Sequence, residues 1–147
     1  MLRLGKLTDY AILIMSAMAK DPHATLSATS LADTLHLSVP TVSKVLKMLG
    51  DADLVNSVRG AEGGYHLARS AHKISIADVI VAMEGELAMT ECCEKINACA
   101  IHSMCMLKEN WRKINGMIHS FLARLTIIDM LEPLSSRQLL QGLNHDK

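Results

Sequence analysis

The chain has 147 residues, which favours one domain or a small domain with an oligomerisation arm. Half of it is apolar but only 3% is aromatic, so the core must be built from Leu, Ile, Val, Ala and Met. A charged fraction of 20% with few Gly and Pro excludes disordered, collagen-like and low-complexity chains. The formal net charge is zero, so bulk electrostatics does not announce a nucleic-acid partner. Residues 1–75 nevertheless hold eight Lys/Arg against six acids, and residues 76–147 seven against nine, which puts the positive excess at the N-terminal end.

Leu7 to Ala19 reads as a helix, with Thr8 as N-cap, Leu7, Ile12, Met15 and Met18 apolar, and Asp21-Pro22 as the stop. Ser27 to Leu35 is a second, short helix. Ser38 caps a third running to about Ala52, with Pro40 accepted in the first turn. In this third helix Val42, Val45, Leu46 and Leu49 form one apolar stripe, and Lys44, Lys47 and Asp51 occupy the other face beside Thr41 and Ser43. Leu54–Arg59 alternates as a strand, Gly60 to Gly64 is a turn, and Tyr65–Ala68 returns as a second strand. Ser75–Asp78 has the form of a capping box opening a helix to about Glu84. Gly85 to Met104 has no sustained periodicity and reads as a loop.

Beyond it, Leu107, Trp111, Ile114, Ile118, Phe121, Leu125 and Ile128 step alternately by four and three, an a/d seam over three heptads. That predicts a helix roughly 35–40 Å long, ended by Pro133, whose stripe a two-fold partner would cover. Ser135–Leu143 forms a short terminal helix. The expected class is mainly α with a small β-hairpin wing. A winged helix-turn-helix over 1–84 leads to a cysteine loop over 85–104, then a dimerisation helix and tail over 105–147. No apolar run spans a bilayer, Tyr10–Ala19 being about half long enough. The first residues lack the pattern of a secretory signal. A cytoplasmic protein with no membrane partner is expected.

Two constellations carry chemistry. Ser38, Thr41, Ser43, Lys44 and Lys47 would face base edges and phosphates in a major groove. Arg59, Gly63, Gly64 and Tyr65 of the wing would approach the neighbouring backbone or minor groove of double-stranded DNA. The plain alternative is an ordinary helical subdomain with a solvated lysine face. The second constellation is the cysteines. Cys92, Cys93, Cys99 and Cys105 fall within fourteen residues, where a disulfide framework would spread them. The close Cys pairs of structural zinc sites are absent, and three soft thiolates at even spacing suit an iron–sulfur cluster. Cys92 or Cys93, with Cys99 and Cys105, would ligate; His102 and His119 are local candidates for a further ligand. Met104 and Met106 flank Cys105 and could shield a cluster. A thiol switch and small loop residues are the competing readings. Nothing resembles a catalytic triad, phosphate loop or carboxylate pair, so the chain is not read as an enzyme.

With these residues in view, the chain resembles the IscR/NsrR-type winged-helix regulators, and within them the proteobacterial regulators of the SUF iron–sulfur assembly operon. The likeness covers roughly residues 1–131. It rests on Met1–Leu4 with Thr8-Asp9-Tyr10-Ala11, on Leu37–Lys47, on Ser57–Tyr65, on Ile76–Ile80, and on Thr90-Glu91-Cys92, Cys99, Cys105 and Asn110-Trp111. The resemblance implies a homodimer with one [2Fe–2S] or [4Fe–4S] cluster per subunit that tunes operator binding, the loaded form repressing. The general family spacing selects Cys93, and the SUF-regulator pattern selects Cys92. Where IscR-like members carry a ligand His, this chain has Lys108. NsrR-like members use an Asp of the partner's first helix, which implies Asp9 from the other subunit, with His102 as fallback. Ser43 stands where IscR has a Glu, which departs from its two-site pattern. The alternatives are a thiol- or nitric-oxide-sensing regulator without an assembly-operon target, and a non-DNA zinc or redox adaptor.

Overall fold

The computed structural model describes residues 3–94, 99–101 and 103–143. Its elements run α1 (Lys6–Ala19), α2 (Ala28–Leu35), α3 (Val39–Asp51), β1 (Val55–Val58), β2 (Gly64–Leu67), α4 (Ile76–Glu84), α5 (Glu91–Glu94), α6 (Lys108–Arg124) and α7 (Ser136–Leu143), with 3-10 turns at Ala71–Lys73 and Ile128–Leu131. The architecture is mostly helical with one small antiparallel sheet. Among the described residues no helix is long and apolar enough to cross a membrane.

α1 starts two residues before the expected cap, and Thr8 is not that cap. Gly5 takes the N-cap position with no side chain to offer. The missing acceptor comes from Glu84 at the end of α4, whose carboxylate accepts the Gly5 N–H at 2.7 Å and the Thr8 hydroxyl. Thr8 is buried, so its hydroxyl needs that partner. Ala11, Ile14, Met15 and Met18 face the core, while Leu7 and Ile12 pack at its margin.

Ser27 caps α2 by accepting from the Ser30 N–H, and His36 closes it in the left-handed region at φ 54°. Two residues later Ser38 caps α3 by accepting from the Thr41 N–H. The helix-turn-helix is therefore bounded by local side-chain chemistry on both sides of its turn. The α3 stripe Val42, Val45, Leu46 and Leu49 is fully buried, as its spacing requires. The α4 capping box is also present: Asp78 N–H donates to Ser75 Oγ at 3.0 Å and Ser75 N–H to Asp78 Oδ2 at 2.9 Å. Arg69 anchors the same carboxylate at 3.2 Å.

The C-terminal region departs from the heptad expectation. α6 has 17 residues, about 25 Å at 1.5 Å per residue, and stops at Arg124, well before Pro133. At Leu125 the backbone turns extended (φ −79°, ψ 125°). There the chain pairs with the segment entering α4: Ile76 N–H donates to Leu125 O at 2.8 Å and Ile127 N–H to Ile74 O at 3.0 Å. Leu125 and Ile127 are thereby buried in the core with α1, α3 and α4, and Phe121 and Ile128 pack against it. The seam is thus split, because its second half has a nearer apolar partner than another chain. The cysteine segment also differs from a plain loop, since Glu91–Glu94 forms a helical turn.

A reciprocal pair locks the return. Thr126 N–H and Oγ1 donate to Asp129 Oδ2 at 2.8 and 2.7 Å. These bonds hold the Asp129 carboxyl below the usual carboxylate range, against a smaller opposing effect of burial, with help from Gln138 and the charge of His72. A lowered native pKa stabilises the fold above the ordinary carboxylate value, and that contribution is lost as pH falls through the lowered one. Asp129→Asn should therefore cost about 1–2 kcal/mol at pH 7. Urea titrations at stepped pH should show the gap to wild type closing below about pH 4.

Candidate DNA interface and cysteine segment

The outer face of α3 presents Ser43, Lys44 and Lys47 to solvent, opposite the buried stripe. Ser38 and Thr41 sit at the helix N-terminus and are joined to each other, their hydroxyl oxygens 2.7 Å apart. Their first task is to hold the start of the helix, where unpaired N–H groups favour an anion such as a phosphate. Arg59 is exposed beyond β1. Lys44, Lys47 and Arg59 have no ion-pair partner among the described residues. Unpaired cations on one head keep their full charge for an outside anion, although the chain as a whole is neutral.

β1 and β2 pair in register from Val55 with Leu67 to Val58 with Gly64, which makes the wing. The paired glycines, read from sequence as room for a sugar-phosphate chain, are needed by the protein itself. A Cβ on Gly63 would stand 2.4 Å from Val58 O, and one on Gly64 would stand 2.6 Å from Leu26 O. The positive φ of this turn lies instead at Gly60, at 121°. Leu26 forms an isolated antiparallel bridge to the wing: its N–H donates to Tyr65 O at 2.9 Å, and Tyr65 N–H to Leu26 O at 2.8 Å. Tyr65 packs against the core. It also lines, with Lys47, Asn56 and Ser57, a cleft of about 350 Å³ between α3 and the wing.

Cys92, Cys93, Cys99 and Cys105 are all free thiols and all half-exposed. The Thr90 hydroxyl lies 3.0 Å from Cys92 Sγ and 3.3 Å from Cys93 Sγ, so one side chain serves both neighbours. Reduced, accessible sulfurs on a segment outside the core are a donor set that fits an iron–sulfur cluster in its chemistry. Among the described residues no three His, Cys, Asp or Glu side chains converge on a common point. The structure therefore does not bring Cys92 or Cys93 together with both Cys99 and Cys105. His102 lies outside the described residues. His119 lines a groove beside Met48, Asp51 and Asp78, on the side of α6 that faces α3 and α4, with no cysteine in its walls. Lys108 is engaged with Glu109 at 4.0 Å. Asp9 is exposed in the first turn of α1, and its carboxylate has no partner among the described residues.

Of the proposed dimer seam, Leu107 and Ile114 are exposed, joined by Met117, while Trp111 and Ile118 are half-buried. Two residues not singled out from sequence hold the cysteine segment to α6. Asn115 Oδ1 accepts the Met89 N–H at 3.0 Å, and its Nδ2 donates to Leu87 O at 2.9 Å. Arg112 Nε donates to Cys92 O at 3.3 Å. The available signal was Asn115-Gly116 in mid-helix, two poor helix formers side by side.

A family described as "Rrf2: Iron-dependent Transcriptional regulator" matches residues 4–133. The chain is 29% identical to the HTH-type transcriptional regulator NsrR of Shouchella clausii, over 99% of this chain and 91% of that one. Its fold matches the solved structure of CymR, the global cysteine regulator of B. subtilis, at a TM-score of 0.71 and 28% identity, covering 89% of this chain and 97% of the other. It also matches IscR of T. potens at a TM-score of 0.67 and 30% identity, with coverage of 88% and 86%.

The tight seat of Gly64 gives a direct check on the wing. Gly64→Ala should destabilise the fold by about 1–3 kcal/mol through overpacking against Leu26. Amide exchange should show Leu26 and Tyr65 losing protection first. Gly60→Ala, with open space around it but a positive φ that Gly64 lacks, should cost about 1 kcal/mol and leave those amides protected.

Proposed function

The chain belongs to the Rrf2 family of transcriptional regulators, and from that premise we propose that it is a homodimeric repressor whose operator affinity is set by an iron–sulfur cluster. One observation carries this reading. A head whose α3 face and wing carry the exposed Lys44, Lys47 and Arg59, without an ion-pair partner among the described residues, is joined through a segment with free and accessible thiols to a helix with an uncovered apolar stripe.

In the proposed division of labour, residues 1–84 read DNA, 85–104 sense and 105–147 pair the subunits. Ser43, Lys44 and Lys47 enter the major groove, Ser38 and Thr41 hold the helix end against a phosphate, and Arg59 and Tyr65 reach the flanking backbone. Gly63 and Gly64 act indirectly by seating the wing. Leu107, Trp111, Ile114, Ile118 and Met117 meet the partner. Cys92 or Cys93, Cys99 and Cys105 hold the cluster, and Asp9 of the partner subunit completes the set, its exposed and unpartnered carboxylate being free to do so.

When bound, a [2Fe–2S] or [4Fe–4S] centre supplies a labile crosslink that oxidants or nitric oxide can remove. What the chain contributes is geometry: drawing the cysteines together orders the segment between head and α6, and Asp9 ties that segment to the other subunit's α1. The distance between two recognition helices is then fixed. A linkage of about 1–3 kcal/mol would change operator affinity roughly 5–150-fold. The proposed target is an iron–sulfur assembly operon, the proposed place the cytoplasm, and the loaded form the repressor.

A second reading, a regulator that senses oxidants or nitric oxide directly at its thiols, draws on two observations. The four thiols are free and half-exposed, and no three ligands converge among the described residues.

Anaerobic reconstitution with iron and sulfide separates the two. The cluster reading expects a coloured protein with two or four irons per chain, bleached by Cys99→Ala and decaying faster in Asp9→Ala. A colourless wild type, still responsive to peroxide in operator binding, would favour the thiol reading. For the DNA head, Arg59→Ala should weaken operator retardation without altering colour. It should also reduce the slope of log affinity against log salt by about 1.

A further inference from the structure

We propose that Asn115 is a positioning residue that transmits the state of the cysteine segment to α6, acting with Arg112 as a clamp. The link to operator affinity rests on the cofactor reading above; the clamp itself rests on geometry. Asn115 uses both ends of its amide, accepting from Met89 N–H at 3.0 Å and donating to Leu87 O at 2.9 Å. One turn earlier, Arg112 donates to Cys92 O at 3.3 Å while its guanidinium is steadied by Glu109 at 3.5 Å. Three bonds from one helix thus grip the backbone over 87–92. Leu87 packs against the core at the near end of this stretch, and Cys92 and Cys93 stand at its far end.

The bonds are made to backbone groups, so they fix where the chain runs whatever side chains it carries. Without Asn115, the Met89 N–H and the Leu87 carbonyl would lose their partners in a half-buried place. The same helix carries Ile114 and Met117, exposed on the stripe proposed to face the partner. A displacement of Cys92 or Cys93 is therefore felt by the helix that sets the dimer. Asn115 lies within the unbroken α6 but has poor helix propensity, and Ala in its place would favour the helix itself. Loosening in Asn115→Ala is then a loss of the clamp and not a melting of α6.

The test uses the full-length, metal-free protein and iodoacetamide, with each cysteine read by peptide mass spectrometry. In Asn115→Ala, alkylation at Cys92 and Cys93 should accelerate on the order of tenfold, with Cys99 and Cys105 unchanged. Asn115→Asp, which keeps an acceptor for Met89 but sets a carboxylate oxygen against the Leu87 carbonyl, should accelerate alkylation at the same two cysteines at least as much as Ala. In cluster-loaded and metal-free samples, the ratio of operator affinities should contract toward one in Asn115→Ala. Unchanged alkylation, equal acceleration at all four cysteines, or an undiminished affinity ratio would each overturn the proposal. If wild type takes up no cluster, the cofactor reading fails, and the selectivity of alkylation alone decides for or against the clamp.

Discussion

The backbone pairing of residues 125–127 with residues 74–76 is the constraint on which the arrangement of this protein depends. Two main-chain bonds, Ile76 N–H to Leu125 O and Ile127 N–H to Ile74 O, force the chain out of helix and push Leu125 and Ile127 into the core shared by α1, α3 and α4. Burying side chains of that size is worth about 1.5–3 kcal/mol each. That is more than the gain from prolonging an exposed helix by a turn. Because this weld sits at the end of α6, the helix is anchored to the reading head at its C-terminal end and leads away from it toward the cysteines. Head, cysteine segment and helix therefore form a closed mechanical loop, with α4 and Gly85 as the other arm.

Glu84 occupies the point where that other arm begins. Its carboxylate caps α1 from across the fold, through Gly5 and Thr8, immediately before the chain enters the cysteine segment. α1 also carries Asp9, the residue proposed to cross to the partner. The two ends of the cysteine segment are thus held to different parts of the head, Glu84 to the start of α1 and, through α6, Leu125 to the entry of α4. Ordering the segment between two such anchors can alter how α6 leaves the head without unfolding either anchor.

What could be read from the sequence was what is determined locally. The α3 stripe, the Ser27 and Ser38 starts, the Ser75–Asp78 box and the hairpin each depend on residues within a few positions, and each stands where its spacing put it. The failures share a cause, which is a partner far away in the chain. Thr8 looked like a cap because Glu84, 76 residues distant, was invisible as its acceptor. Gly64 looked like a place for a ligand because the carbonyl that needs its bare Cα, that of Leu26, lies ahead of α2; Gly63 is the local exception, confined by Val58 O within its own hairpin. The heptad steps through Leu125 and Ile128 are real, but the intervening Thr126-Ile127 is β-branched and Thr126 pairs with Asp129, a local sign of helix termination that the apolar spacing masked. In the cysteine segment, composition exposed the sulfurs and left the clamp from Asn115 unseen.

The seating of the wing has a consequence for how operators are told apart. With Leu26 bridged to Tyr65 on one side and the hairpin paired on the other, the wing is tied to the residue just ahead of α2. On the proposed function, α3 and the wing would then meet DNA as one tied unit, with little room to shift relative to each other. In the proposed dimer most of the adjustable tolerance then falls on the interval between heads. Insertion or removal of a base pair at the centre of a palindrome would offend this protein more than a changed letter at its edge.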